Sequence, residues 1–82
     1  MEQTNHKITI YGTSTCQSCA LAKEYLHSKN FEYEFKNVGE DAVAREEMIA
    51  KNGGMLSTPT IEIDDKIIVG FDKGKIDALL GN

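Results

Sequence analysis

Two cysteines separated by two residues carry the clearest chemical potential in this sequence. Cys16 and Cys19 are its only cysteines. The thiolate attacks disulfides, and a free cysteine, with a pKa of about 8.5, is mostly a thiol at neutral pH. Cysteines at this spacing can exchange disulfides or bind a metal ion, so the surrounding sequence must decide between these two kinds of chemistry.

The surrounding residues predict that the pair lies at the start of a helix. A run of β-branched and aromatic residues, 7–11, predicts a strand that Gly12 ends. Residues 16 to about 29 form helices readily, and Ser14 and Thr15 offer hydroxyls for the helix N-cap. Unpaired N–H groups and the helix dipole favour an anion at such a start, so we expect a lowered pKa for Cys16.

The spacing also permits a disulfide between the two cysteines. Helical residues three apart share a face, with β-carbons about 5–6 Å apart, and disulfides join α-carbons about 4.4–6.8 Å apart. We therefore predict that Cys16 attacks a substrate disulfide to form a mixed disulfide. Cys19, which points toward the protein interior, then resolves it.

The middle of the chain predicts one strand and one helix. Asn30 is suited to end the first helix in a left-handed conformation. Aromatic and charged residues alternate over 31–35, which predicts a strand with one buried face, and its charged face is typical of an edge strand. A helix is predicted from about Glu40 to Lys51, ended by Asn52-Gly53-Gly54.

The last third predicts a hairpin and a closing helix. Residues 61–63 and 66–69 form two strands joined by a turn at Asp64-Asp65, and Gly70 breaks the second strand. One apolar stripe then predicts a closing helix, formed by Ile76, Leu79 and Leu80.

This order of elements predicts an α/β fold in a single domain, residues 1–82. Strands joined through a helix should lie parallel, and the terminal hairpin should add antiparallel strands. The expected result is a four-stranded mixed sheet flanked by three helices, in the order β-α-β-α-β-β-α. Cys16 then lies at the carboxyl end of the first strand, where open α/β sheets commonly place reactive groups.

Composition excludes several other classes of protein. The formal net charge of −4 argues against nucleic-acid binding and against docking on an acidic membrane. The first six residues are polar and no apolar run reaches the length of a spanning helix, so we expect a cytoplasmic protein. That compartment disfavours a structural disulfide.

We expect no bound metal, because His6 and His27 lack a zinc-finger spacing relative to the cysteines.

Three segments together resemble the active-site elements of the glutaredoxin family: Cys16-Gln17-Ser18-Cys19, Thr58-Pro59 and Gly70-Phe71-Asp72. The likeness extends in order over residues 7–80. It implies a thioredoxin fold, Cys16 as the nucleophile, Cys19 as the resolving thiol and Pro59 as a cis-proline. It further implies that Thr58 pairs its backbone with a bound thiol peptide and that Asp72 binds the amino end of glutathione.

The same resemblance implies partners and a wider substrate site. Substrates would be proteins with disulfides, the reductant would be glutathione or thioredoxin reductase, and no cofactor would be tightly bound. We expect a monomer. Residues expected to complete the site for substrate or glutathione are Tyr11 and Phe71, lining the groove beside Cys16, with Gln17 and Gly70.

Departures from the family pattern leave the electron donor open. Thr13 replaces a lysine, Gln17-Ser18 replaces Pro-Tyr, and Val69-Gly70 replaces Gly-Gly, and each change should weaken a site for a small anionic tripeptide. Gly70-Phe71 also resembles the redoxins that supply ribonucleotide reductase and use thioredoxin reductase. Those redoxins usually carry a basic residue where this chain has Asp72.

Three alternatives to disulfide exchange remain. The cysteines could be two buried structural residues. They could handle copper or zinc, although copper chaperones carry a methionine where this chain has Ser14 and run strand, helix, strand, strand, helix, strand. Cys16 could hold an iron–sulfur cluster with glutathione across a dimer, although such carriers usually rely on a single active cysteine.

Without a neighbouring lysine, Cys16 should depend on helix N–H groups and on the hydroxyls of Ser14, Thr15 and Ser18 to stabilise its thiolate. We expect its pKa to be lowered, but less than in the most reactive glutaredoxins. Alkylation rates measured against pH report this pKa, because only the thiolate reacts. A midpoint below about pH 5 would contradict the prediction.

Overall fold

Three helices and four strands follow one another in the predicted order in the computed structural model, which describes residues 7–54 and 58–80. The polar first six residues lie outside the described part. Because a helix separates the second and third strands, the order differs from that of copper chaperones. The elements are β1 (Ile8–Gly12), α1 (Gln17–Ser28), β2 (Glu34–Asn37), α2 (Ala42–Lys51), β3 (Thr60–Ile63), β4 (Lys66–Val69) and α3 (Lys73–Leu80).

The four strands form one mixed sheet in the order β2-β1-β3-β4. β1 pairs parallel with β2, whereas β1–β3 and β3–β4 are antiparallel. In the β1–β3 ladder Ile8 faces Ile63 and Ile10 faces Ile61. The predicted mixed sheet and the predicted edge position of β2 are therefore confirmed.

Alternation along β1 divides the core between the two faces of the sheet. Ile8 and Ile10 pack on the face that α1 and α3 cover, together with Leu26 of α1 and Ile76 of α3. Tyr11 points to the opposite face and packs there against side chains of α2. Because helices cover both faces of the sheet, every residue of β1 is buried.

The second strand begins later than predicted. Asn30 has a φ of 65°, and the N–H groups of Asn30 and Phe31 bond to the carbonyls of His27 and Leu26, each at 3.0 Å. This pattern is a Schellman motif, which ends α1. Phe31 is thereby used in the helix cap, so strand pairing starts only at Glu34, and the predicted strand over 31–35 is corrected to Glu34–Asn37.

The start of α2 also differs slightly from the prediction, whereas its end at Lys51 and the hairpin agree. Asp41 is the N-cap of α2, and its carboxylate accepts the N–H groups of Val43 and Ala44 at 3.0 and 3.2 Å. The helix therefore begins at Ala42, after the predicted start at Glu40. The predicted turn of the β3–β4 hairpin is confirmed, with Asp64 at a φ of 56°.

No helix within residues 7–54 and 58–80 combines the length and the apolar character needed to cross a membrane.

Asp41→Ala should remove the α2 cap and lower the free energy of unfolding by about 1 kcal/mol, the usual loss when a capping side chain is truncated. Glu40→Ala is the matched control, because Glu40 is exposed and lies just before the cap. Urea denaturation of both variants and the wild type measures the difference. Equal unfolding free energies for the two variants would contradict a stabilising cap at Asp41.

Candidate active site

Cys16 is itself the N-cap of α1. Its backbone is extended, with φ −83° and ψ 116°, and its sulfur accepts the backbone N–H of Cys19 at 3.1 Å. An N-cap side chain normally satisfies one of the unpaired N–H groups of the first turn, and here the sulfur does so. The helix begins at Gln17, one residue later than predicted, and the cap is Cys16 instead of Ser14 or Thr15.

The pKa of Cys16 is lowered from the ordinary value of a thiol by hydrogen bonds that outweigh burial. Partial burial is the largest single influence and acts in the opposite direction, since it disfavours the charged form. The Cys19 thiol, the N–H groups of Cys19 and Ser18, and the Thr58 hydroxyl donate to the sulfur and stabilise its anion. The site therefore favours a thiolate that remains partly accessible to a substrate.

The hydroxyl at this site comes from a different segment than predicted. Ser14 and Thr15 are exposed in the turn before α1, and neither is among the leading influences on the pKa of Cys16. Thr58, from the segment that leads into β3, supplies the hydroxyl instead. Tertiary structure thus provides a donor that local sequence did not indicate.

Cys19 lies in the opposite environment. It is 1% exposed, and burial together with hydrogen bonding to Cys16 raises its pKa to about 11. Neither cysteine is in a disulfide in this structure. Cys19 is therefore a protected thiol, one helical turn from a sulfur that favours the anion.

Gly12 makes room for Cys19, a function that sequence reasoning missed. A β-carbon at Gly12 would lie 2.3 Å from Cys19 Sγ and 3.3 Å from Cε1 of Phe35. Atoms that close would overlap, so any side chain here would displace the Cys19 sulfur. The available signal was a glycine at the end of the strand directly before the cysteine pair.

The segments around Pro59 and Gly70 meet at the other side of the site. The Thr58–Pro59 peptide bond is cis, as the resemblance implies. The N–H of Gly70 donates to the Pro59 carbonyl at 2.7 Å, and Gly70 has a φ of 89°. Because Thr58 also donates to Cys16, the structure brings the start of α1 and the start of β3 together, and the Gly70 segment joins them through Pro59.

Three more predicted site residues lie at or beside this junction. Gln17 is exposed at the first position of α1. Phe71 is half-buried, and its ring meets that of Tyr25 edge to face at 5.9 Å. Asp72 is exposed, but its carboxylate accepts the Lys75 N–H at 3.2 Å and so caps α3. A structural function therefore already occupies one oxygen of Asp72.

Tyr11 is the one predicted site residue that the structure places elsewhere. Its side chain is 2% exposed and packs on the α2 face of the sheet, whereas Cys19 lies on the α1 face. Its hydroxyl donates to Glu47 of α2 at 3.5 Å, and burial raises its pKa. Strand alternation explains the position, because neighbouring residues of β1 point to opposite faces. The expected groove contact of Tyr11 is therefore corrected.

Within residues 7–54 and 58–80, no three His, Cys, Asp or Glu side chains lie close enough together to hold a metal ion.

Gly12→Ala should displace Cys19 and lower stability by about 1–3 kcal/mol, the usual effect of overpacking a core. Removing the sulfur should relieve most of the overlap, so the same change should be less costly in a Cys19→Ala background. Urea denaturation of the wild type, both single variants and the double variant, all reduced, measures this coupling. Additive losses would contradict a direct contact between Gly12 and the Cys19 sulfur.

Known proteins that resemble this chain share both its sequence pattern and its fold. A family model described as Glutaredoxin matches residues 8–68. The chain is 48% identical over 75 residues to an uncharacterized glutaredoxin-like 8.6 kDa protein in the rubredoxin operon of Clostridium pasteurianum, a match that covers 89% of this chain and 96% of that protein.

Two solved structures give the same result. Methanoredoxin from Methanosarcina acetivorans has a TM-score of 0.85 at 31% identity, covering 95% of this chain and 87% of its own. The glutaredoxin-like NrdH-redoxin from Escherichia coli is described as having a thioredoxin-like activity profile. Its TM-score is 0.79 at 29% identity, and the match covers 89% of this chain and 93% of the redoxin. The chain therefore belongs to the glutaredoxin family and is a glutaredoxin-like redox protein with the thioredoxin fold.

Proposed function

We propose that the protein is a dithiol–disulfide oxidoreductase that reduces protein disulfides, or mixed disulfides with glutathione, through Cys16 and Cys19. One observation carries the proposal: the partly exposed Cys16 sulfur caps α1 at 3.1 Å from the Cys19 N–H, while the Cys19 sulfur is buried one turn away. A stabilised, accessible anion suits a nucleophile, and a protected neutral thiol suits the group that acts second.

In the first step the Cys16 thiolate attacks one sulfur of a substrate disulfide, RS–SR′. A Cys16–S–S–R bond forms, the RS–SR′ bond breaks, and R′S⁻ leaves and takes a proton from solvent. The donors around Cys16 support this step because they raise the fraction of sulfur present as thiolate near neutral pH.

In the second step Cys19 loses its proton to solvent and its thiolate attacks Cys16 Sγ. The Cys16–Cys19 disulfide forms and RS⁻ leaves, so the substrate gains two electrons and the dithiol is oxidised. Little backbone movement is needed, since residues three apart on one helical turn have the separation that a disulfide requires.

The substrate chain would bind across the junction beside Cys16. We propose that Thr58 offers its backbone to an extended peptide, with Pro59 fixing the direction of this segment. The 2.7 Å bond between Gly70 and Pro59 supports a rigid wall there. The further residues proposed to contact substrate are Gln17, Gly70, Phe71 and Asp72.

The reductant that regenerates the dithiol is proposed to be glutathione or thioredoxin reductase. The Asp72 carboxylate already accepts the Lys75 N–H, which competes with an ammonium group of glutathione. The thioredoxin-like activity profile of the NrdH-redoxin supports the reductase. No tightly bound cofactor is needed for either route, and we propose that the protein acts as a monomer in the cytoplasm.

An NADPH-coupled assay with two arms tests the function and identifies the reductant. One arm supplies glutathione with glutathione reductase, and the other supplies thioredoxin reductase alone. We expect reduction of a protein disulfide in at least one arm. Tight copper(I) or zinc binding, or a brown protein after anaerobic purification, with no turnover in either arm would contradict the proposal and favour metal handling.

Substitution of each cysteine separates the two steps. Cys16→Ser should abolish reduction of protein disulfides, because no first bond can form. Cys19→Ser should leave the first step intact and accumulate a mixed disulfide on Cys16, detected by mass spectrometry without reductant. Accumulation of the mixed disulfide in Cys16→Ser instead would reverse the proposed assignment of the two thiols.

A further inference from the structure

Lys23 follows Cys19 by one helical turn and is half-buried. Residues four apart on a helix share a face, and long side chains of a helix lean toward its amino end. The Lys23 side chain therefore extends from α1 on the side of Cys19 and toward it. Its Nζ lies 4.1 Å from the centre of the Phe35 ring, so an attraction between the cation and the ring holds the ammonium in place.

Phe35 connects this ammonium with the resolving sulfur. The position that a β-carbon of Gly12 would occupy lies 2.3 Å from Cys19 Sγ and 3.3 Å from Cε1 of Phe35. Both groups therefore pack over the same glycine. The ring that carries the Lys23 ammonium thus borders the buried thiol.

A nearby cation would stabilise the thiolate of the buried Cys19, which burial disfavours. Burial raises the pKa of Cys19 to about 11, yet the second step requires negative charge on its sulfur. Among the leading influences on the pKa of Cys19 after burial, Cys16 raises it further, a hydrogen bond with the backbone of Thr13 lowers it, and the charge of Lys23 lowers it. A cation held nearby stabilises the charged form most where water is excluded.

We propose that Lys23 is a positioning residue for the second step: its ammonium, held against Phe35, stabilises negative charge on the Cys19 sulfur as that sulfur attacks Cys16. The inference deepens the proposed function and rests on it. Lys23 forms no bond and transfers no proton, so the atoms and electrons of the second step balance as written above.

A titration of Cys19 tests this inference directly. In a Cys16→Ser background Cys19 is the only thiol, so its thiolate can be followed by ultraviolet absorbance or by alkylation against pH. Lys23→Gln should lower the thiolate fraction at a given pH by up to about tenfold, the effect of one unit of pKa. Lys23→Arg keeps the charge and should remain close to the parent protein.

Lys29→Gln is the matched control. Lys29 is the C-cap of the same helix and its Nζ also lies over an aromatic ring, 5.3 Å from the centre of Tyr25. The substitution removes the same charge at the other end of α1. It should leave the titration of Cys19 unchanged.

The rate of the second step gives an independent readout. A mixed disulfide between Cys16 and a small thiol is formed in the presence of Cys19, and release of the small thiol is timed. Lys23→Gln should slow release about threefold, because a tenfold loss of thiolate is partly offset by the greater nucleophilicity of a more basic thiolate. Lys29→Gln should release the thiol at the wild-type rate.

Two results would overturn the inference: an unchanged Cys19 titration in Lys23→Gln, or an equal change in Lys29→Gln, which would indicate net charge alone. A wild-type protein that reduces no disulfide in either arm of the coupled assay would defeat the proposed function. In that case a shifted titration would still establish that Lys23 acts on the Cys19 sulfur.

Discussion

The hydrogen bond from the Cys19 N–H to the Cys16 sulfur is the interaction on which the rest of the site depends. It satisfies a helix-terminal donor and also stabilises an anion on the capping atom. A serine at this position could cap the helix equally well, but its hydroxyl would not ionise near neutral pH. Local structure and reactivity therefore come from the same contact, and disruption of the first turn of α1 would affect both.

The fold gives two chemically identical side chains opposite environments within one helical turn. Cys16 lies at the end of the helix, partly exposed and surrounded by donors, whereas Cys19 lies one turn inside, against Gly12 and the core. Hydrogen bonds dominate at the first sulfur and burial at the second, so the two pKa values move apart. This separation gives the proposed exchange its direction, because one thiol is ready to attack and the other is held back.

Much of the fold could be predicted because the information is local. Apolar periodicity identified the elements and their order, and residues that tolerate positive φ, Asn30 and Asp64, marked their ends. The parts that could not be predicted depend on contacts between distant segments: the Thr58 hydroxyl at Cys16 and the space that Gly12 leaves for Cys19. The spacing of residues in the sequence does not predict which side chains such packing brings together.

The most direct test of the central claim is an NMR titration of the reduced wild-type protein. It follows the Cys19 amide proton and the Cys16 β-carbon as pH is raised. Because the amide donates to the Cys16 sulfur, both signals should move together, with one midpoint below the ordinary thiol value of about 8.5. A Cys16 midpoint at or above that value, or a Cys19 amide that does not respond as Cys16 ionises, would contradict the account.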